Sequence, residues 1–509
     1  MFRSTAYKST VAQCRLPNGC KFIVLLCFAL PIMQTPLGWS AEKPELTVIS
    51  PPGGQIGTTV DVSASGKFPT WPLQIWSDSE AIQWNCMSDS GKLQVKISGD
   101  AIAGVHWVRL YSPSGATASV PFLVGKNPES NEAEPNDRVA EANEVPSLAR
   151  TTQGILNKRG DVDLFAVTLK KDELLIASVD SQKWLSSPAD VCLQILDSKG
   201  YVLSENLDHV GLDPQLTFRA RGDGKYHVKV FGFPAAPDTS IGFGGGNDWV
   251  YRLHLDSDSS FERRTLDYSM LSLIHSECVE LTAGQHAGLD QALSVVLPVK
   301  VTGTIAEPGQ VKYLRFAAKA GVYYRIRLLA REFGSSLDPT IAILDSQGNQ
   351  IVQQDDIETN LDPVLKWKAP SDGDFTISIV DFHRLGGSDY GFLAVLEEWP
   401  VSFSATLSSD LIHAVTSKET EVIVNLARES EFSGTINVTA EGLPSFVQCS
   451  SAESKYGTDS ASKVTLKFTG SEAFQGPIKI FAKALEPTNL EQVAKTLQSK
   501  PTWLSITSE

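Results

Sequence analysis

The chain has 509 residues, of which 20% are charged, with 59 Asp and Glu against 44 Lys and Arg for a formal net charge of −15. That balance excludes a nucleic-acid partner, because binding a polyanion requires a basic surface that displaces counterions. The length suggests three to five domains, each large enough to bury its own core.

Arg3, Lys8, Arg15 and Lys21 precede the apolar run Phe22 to Met33, and Gly38-Trp39-Ser40-Ala41 supplies small residues for cleavage. This is the pattern of a secretory signal peptide over residues 1–40. The apolar run is well short of the roughly 20 residues that a membrane span needs. The expected product is secreted or periplasmic, begins near Ala41 and keeps no transmembrane segment. Without residues 1–40, which hold four basic and no acidic side chains, the net charge is −19. Cys14, Cys20 and Cys27 leave with the signal, and Cys86, Cys192, Cys278 and Cys449 remain, about one for each module. Such sparse cysteines do not make a disulfide scaffold. Isolated thiols are expected, with a Cys192–Cys278 bridge as the alternative.

Residues 43–126 alternate apolar and polar side chains, as in Leu93-Gln94-Val95-Lys96-Ile97, between clusters of Gly, Pro and Ser. This predicts short antiparallel strands with one buried face and an immunoglobulin-like sandwich. The opening ISPPGGQIGTTVDVSASG and the later AGVHWVRLYSPSG resemble bacterial IPT/TIG-type modules. Trp71, Trp76, Trp84 and Trp107 are candidates for a sugar-stacking platform, with burial in the core expected for at least two of them.

The next segment carries Glu132-Ala133-Glu134-Pro135-Asn136-Asp137, followed by Ala142-Asn143 and then Gly160-Asp161-Val162-Asp163-Leu164-Phe165. Hard oxygen ligands at this density suit Ca²⁺, which takes six to eight oxygens; an acidic, solvated linker is the competing reading. The ExEPND…AN…GDxDxF pattern resembles the entry to a bacterial pre-peptidase C-terminal domain and to the related collagen-binding domains of secreted collagenases. The resemblance implies a Ca²⁺ site with oxygens from Glu132, Glu134, Asn136, Asp137 and Asp163. Position 160 is Gly where relatives can carry a carboxylate, so Asp161 or a water is expected to fill that place.

An internal repeat organises the middle of the chain. Gly154 and Gly303 lie 149 residues apart, as do Asp213-Pro214 with Asp362-Pro363 and Gly224 with Gly373. Asp197-Ser198-Lys199-Gly200 returns as Asp345-Ser346-Gln347-Gly348, each after an apolar strand, which predicts a hairpin turn with Gly at positive φ. Matching Tyr251 to Tyr390 gives a spacing of 139, so about ten extra residues are expected in the first copy, in a glycine-rich hairpin extension around Gly242-Phe243-Gly244-Gly245-Gly246. The second copy has Gln285 to Leu297 in place of the acidic motif and Gln310 and Lys312 in place of Asp161 and Asp163, so no ion is expected there.

The expected class is all-β, with tandem antiparallel β-sandwiches: Ig-like (43–126), two jelly-roll-like pre-peptidase modules (127–258 and 301–398) and Ig-like (399–509). A connector spans 259–300 and could belong in part to the second repeat. The C-terminal FSGTINVTAEGLP resembles sandwich repeats that accompany pre-peptidase domains. Leu490, Val493 and Leu497 show the only convincing helical spacing.

The resemblance to peptidase-associated domains prompts a search for catalysis. No HExxH zinc helix or GxSxG elbow is present in the sequence, and the eight histidines are scattered singly. His383, Asp381 and Ser388 are the best imitation of a triad, although triads are recognised by geometry and not by proximity in sequence. The reading is a non-catalytic exported binding or structural protein that meets extracellular or envelope polysaccharide or protein. The alternative is an accessory subunit of a secreted peptidase or a remnant of a secreted hydrolase.

Overall fold

Alternation in the sequence becomes alternation in burial. Along Lys92–Ile97 the side chains of Leu93, Val95 and Ile97 are buried while Lys92 and Lys96 are exposed, and Lys463–Gly470 repeats the pattern. A computed structural model describes residues 42–209, 211–236, 242–257, 278–281, 288–331, 335–356, 362–399, 403–429, 432–485, 491–493 and 500–508. Residues 1–41, which include the expected signal peptide, and most of the connector lie outside the described residues. The protein is all-β and built from successive antiparallel β-sandwiches. No described helix is long and apolar enough to cross a membrane.

The first sandwich pairs the sheet Glu45–Ser50, Thr59–Lys67, Lys92–Ile97, Ile82–Cys86 with the sheet Gly53–Gln55, Val120–Gly125, Gly104–Ser112, Gln74–Ser77. The two repeats share one topology. In the first, Glu129–Asn131, Arg150–Ile155, Val250–Asp256, Leu174–Asp180 and Gln215–Arg219 lie side by side in one sheet; Asn143–Glu144, Asp163–Leu169, Gly224–Pro234, Ala189–Leu196 and Val202–Asn206 form the other. The second repeat has the same strand order, beginning with Cys278–Glu280 and Leu293–Ser294, so part of the expected connector pairs directly into its sheets. The DSxG turns form as read: Gly200 and Gly348 have φ of 88° and 87°, and the Asp197 and Asp345 carboxylates accept backbone N–H groups across the turn. The repeated aspartates before proline also have a role. Asp213 accepts the N–H groups of Ser181, Gln182 and Lys183, and Asp362 those of Ala330 and Arg331, which ends the preceding strand in a tight turn.

Three expectations change. Strand pairing sets Gly154 opposite Tyr251 and Gly303 opposite Phe392, so Tyr251 corresponds to Phe392 at a spacing of 141, and the first copy has eight extra residues. The sequence match failed because an aromatic residue sits two positions earlier in both copies, Trp249 and Tyr390. The glycine loop is not an exposed extension: Gly244 lies flat on Trp249, where a Cβ would come within 1.8 Å of the ring, and Gly245 packs on the Lys158 carbonyl. Of the residues with helical spacing, Leu490 and Leu497 lie outside the described residues, and Val493 lies in the strand Glu491–Val493, because Phe481–Lys483 presents a free sheet edge whose hydrogen bonds override local spacing. Cys86, Cys192 and Cys449 are free thiols, as expected, and the alternative Cys192–Cys278 bridge does not form.

The tryptophans of the first sandwich are consumed in packing. Trp84 meets Phe122 edge-on at 4.9 Å, and Trp71 packs on Phe68 and donates its indole N–H to the Met87 carbonyl. Trp76 and Tyr111 enclose Trp503 of the last sandwich, with ring centroids at 5.7 and 5.0 Å. Trp107 faces Lys500. The chain therefore closes its first sandwich on its last. Buried Arg109 donates to Asp410 Oδ2 at 2.5 Å, the same oxygen accepts from Ser119 Oγ at 2.6 Å, and Trp503 lies 5.6 Å from the guanidinium carbon. Neighbouring modules also touch: Gln153 Nε2 donates to Gly53 O at 3.1 Å, and Arg325 stacks on Trp399 at 3.4 Å.

Candidate metal centre

The acidic linker is held to the first repeat by backbone bonds before any charge is considered. Glu132 N–H donates to Gln153 O at 2.9 Å, extending the pairing of Glu129–Asn131 with Arg150–Ile155, and Leu164 N–H donates to Asn136 O at 3.1 Å. Asn143 clamps the segment between them, accepting from Ala133 N–H at 2.7 Å and donating to Ala133 O at 2.8 Å. This explains why an Asn follows the acidic motif: its side-chain amide carries a donor and an acceptor on separate atoms, which match the N–H and the C=O of Ala133 at the same time.

The candidate ligands divide into two groups. On the outer side the carboxylates of Glu134, Asp137 and Asp161 bring ligand oxygens within 4.8 Å of one another. Asp161 is fully buried; its Oδ2 accepts from Asn157 N–H at 2.6 Å, and its Oδ1 has no hydrogen-bond partner. Asp137 Oδ1 is likewise buried without one. Glu134 accepts from Asn157 Nδ2 at 2.7 Å and from Asn136 N–H at 3.2 Å. The Lys158 ammonium stands 3.3 Å from both Asp137 and Asp161, and its pKa is raised, first by Asp161 and then by its bond to Asp137. Burial acts to raise the Asp137 carboxyl, but contacts with Lys158 and Asp161 outweigh it and leave the pKa lowered.

On the inner side Glu132 and Asp163 share Tyr251. The phenol is fully buried and lies 2.9 Å from Glu132 Oε2 and 2.6 Å from Asp163 Oδ2, while Glu132 Oε1 accepts from Ile155 N–H at 2.6 Å. Asn136, also fully buried, links the groups: with its nitrogen turned to the acceptors it reaches Glu134 at 3.2 Å and Asp163 at 3.0 Å. Gly154 makes room, since a Cβ there would come within 2.3 Å of the Tyr251 ring and 2.5 Å of Glu132. Burial, then the Glu132 charge, pushes the Asp163 carboxyl up to about 10, and burial also raises Glu132. Crowded acids of this kind are neutralised by protons or by a cation.

The second repeat is the internal control. Leu281 stands at the Glu132 position, Phe392 at Tyr251 and Lys312 at Asp163. Gln310 keeps only the loop-closing bond of Asp161, accepting from Ala306 N–H at 2.7 Å. The residues present in the first repeat fit a hard divalent cation on the outer side: three carboxylates converge, two of their oxygens lack hydrogen bonds, and a mobile-length lysine is the resident counter-charge. All six sequence-chosen residues lie in this region. Tyr251, Asn157 and Lys158 were missed; the Tyr-to-Phe difference between repeats would have flagged Tyr251 had the register been correct.

The triad imitation does not assemble. His383 lies 3.3 Å from Asp338, while Asp381 accepts the backbone N–H groups of Asp338 and Leu385.

No family model matches the chain, and no curated protein matches it. Among solved structures, the pre-peptidase C-terminal domain of a collagenase from Bacillus anthracis is 12% identical with a TM-score of 0.16, over 24% of this chain and 98% of that one. Fibronectin(III)-like modules of CbhA from Clostridium thermocellum are 10% identical with a TM-score of 0.15, over 38% and 87%. The M60 catalytic domain with two CBM51 domains of Clostridium perfringens ZmpB is 8% identical with a TM-score of 0.16, over 92% and 39%.

Proposed function

We propose that this is an exported, non-catalytic, modular binding protein whose first repeat is a calcium-stabilised pre-peptidase-type module, presenting its surfaces to envelope or extracellular polymer. The observation that carries the reading is the outer trio Glu134, Asp137 and Asp161, with two carboxylate oxygens lacking hydrogen bonds, in the repeat that bears the motif. Asn136 joins the trio to Asp163, and Glu132 and Tyr251 complete its inner support. A cation there pins the linker to the sandwich. Outside a cell, where calcium is millimolar, even the weak sites of extracellular modules are substantially occupied.

Thermal unfolding of the full chain tests this. A ligand bound by the folded state alone, at ten times its Kd, stabilises by roughly 1.4 kcal/mol, so the transition containing the first repeat should rise in calcium relative to chelator. Glu134→Ala with Asp137→Ala should abolish the rise, and an unchanged rise in that variant would sink the site. Lys158→Ala removes the competing ammonium and should tighten calcium binding several-fold in a direct titration; unchanged or weaker binding would show that the lysine does not compete.

A further inference from the structure

The two repeats differ at a second place, at the open end of the sandwich on the other side of the Ala133 clamp. In the second repeat Val299, Val301 and Leu314 belong to one buried core, and Val279, Leu293, Val295 and Leu297 pack against it. Strand pairing places Ser130, Asn143, Arg150, Thr152 and Phe165 of the first repeat at the positions of Val279, Leu293, Val299, Val301 and Leu314. There the same location is a cavity of about 450 Å³, whose lining mixes apolar Ala133, Val145, Pro146 and Phe165 with polar Ser130, Asn143, Arg150 and Thr152, within the ~300–1,000 Å³ range of small-molecule sites. Three of these polar side chains are satisfied within the protein, Asn143 by Ala133 and Ser130 and Thr152 by each other. The donor left for a ligand is that of Arg150, and a buried polar group is costly unless a partner satisfies it.

The chemistry of the lining identifies the partner. Arg150 is half-buried and its Nε is buried without a hydrogen-bond partner. Glu144, the acid on the rim, is paired with Lys225. Thr152 and Ser130 hydroxyls lie 3.4 Å apart, and the Asn131 amide is exposed at the mouth. A guanidinium fork recognises a planar carboxylate through two parallel bonds. The hydroxyls, the amide and Glu144 suit a ligand rich in hydroxyl groups, and the rim acid disfavours a dianionic phosphate. We infer that this pocket binds an acidic sugar through its carboxylate, with Arg150 as the anchoring residue. This deepens the binding reading above and rests on it, by naming a uronic acid as the ligand class.

The test is calorimetric titration of the full chain at saturating calcium with D-glucuronate, D-glucose and N-acetyl-alanyl-alanine bearing a free carboxylate. Glucuronate should bind about tenfold or more tighter than glucose, the scale of one hydrogen bond to a charged group. Arg150→Gln should lose that advantage. The pair Arg150→Val and Thr152→Val copies Val299 and Val301, so it keeps a packing that the fold already uses, and it should also abolish binding. Equal binding of glucuronate and glucose, unaltered binding in Arg150→Gln, or a dipeptide that binds as tightly as glucuronate would each overturn the assignment. The calcium-dependent thermal shift of Arg150→Gln, read in parallel, separates failure of the sugar pocket from failure of the calcium reading.

Discussion

Replacing Asp410 with alanine should destabilise the protein by about 3–5 kcal/mol, the range for removing one partner of a buried ion pair. Arg109 has no exposed surface, and burial lowers its pKa while Asp410 raises it. Its Nε has no hydrogen-bond partner and one terminal nitrogen bonds to Thr117 O, so Asp410 is the group that neutralises it. Truncation at Asp410 leaves a buried cation beside Trp503 and removes the acceptor of Ser119 as well. Denaturant unfolding followed by tryptophan fluorescence reads the change, because Trp76 and Trp503 report on the junction directly. Adding Arg109→Met should restore much of the lost stability by removing the stranded charge. A loss below about 1 kcal/mol, the value of an exposed pair, would show that the first and last sandwiches are not locked together in solution.

Tyr251→Phe should cost about 2–4 kcal/mol, since hydrogen bonds to charged groups contribute about 1.5–3 kcal/mol and a stranded buried acceptor adds its own desolvation penalty. Removing one oxygen atom takes away the single hydroxyl that bridges Glu132 Oε2 and Asp163 Oδ2. The ring itself fits as phenylalanine, because Phe392 fills the matching place in the second repeat, fully buried against Gly303. The change is therefore electrostatic and not steric, and the added variant Glu132→Leu, which copies Leu281, should recover part of the loss. Stability equal to that of the unaltered protein, measured by denaturant unfolding in chelator, would mean that the phenol is not what holds the two acids together.

Alternation, turn chemistry and the repeat were legible in the chain because each is a local property. Lys92–Ile97 declares its buried face at every second residue, Asp197 and Asp345 announce their turns, and a 149-residue spacing exposes the repeat without any contact being known. The acidic motif and Asn143 were legible for the same reason, being close in sequence. What local pattern could not supply was pairing. Val493, read with a helical spacing, lies in the strand Glu491–Val493 because a sheet edge lies beside it. The six acidic and amide candidates separate into an outer trio, an inner pair and the linking Asn136 only when Tyr251, 119 residues from Glu132, joins the inner pair. The polar pocket around Arg150 becomes visible only when strand register aligns it with the valines of the second repeat. The Arg109–Asp410 contact joins residues 301 positions apart, and no periodicity can encode it, because burial against a distant partner, not backbone preference, decides where such a charge can lie.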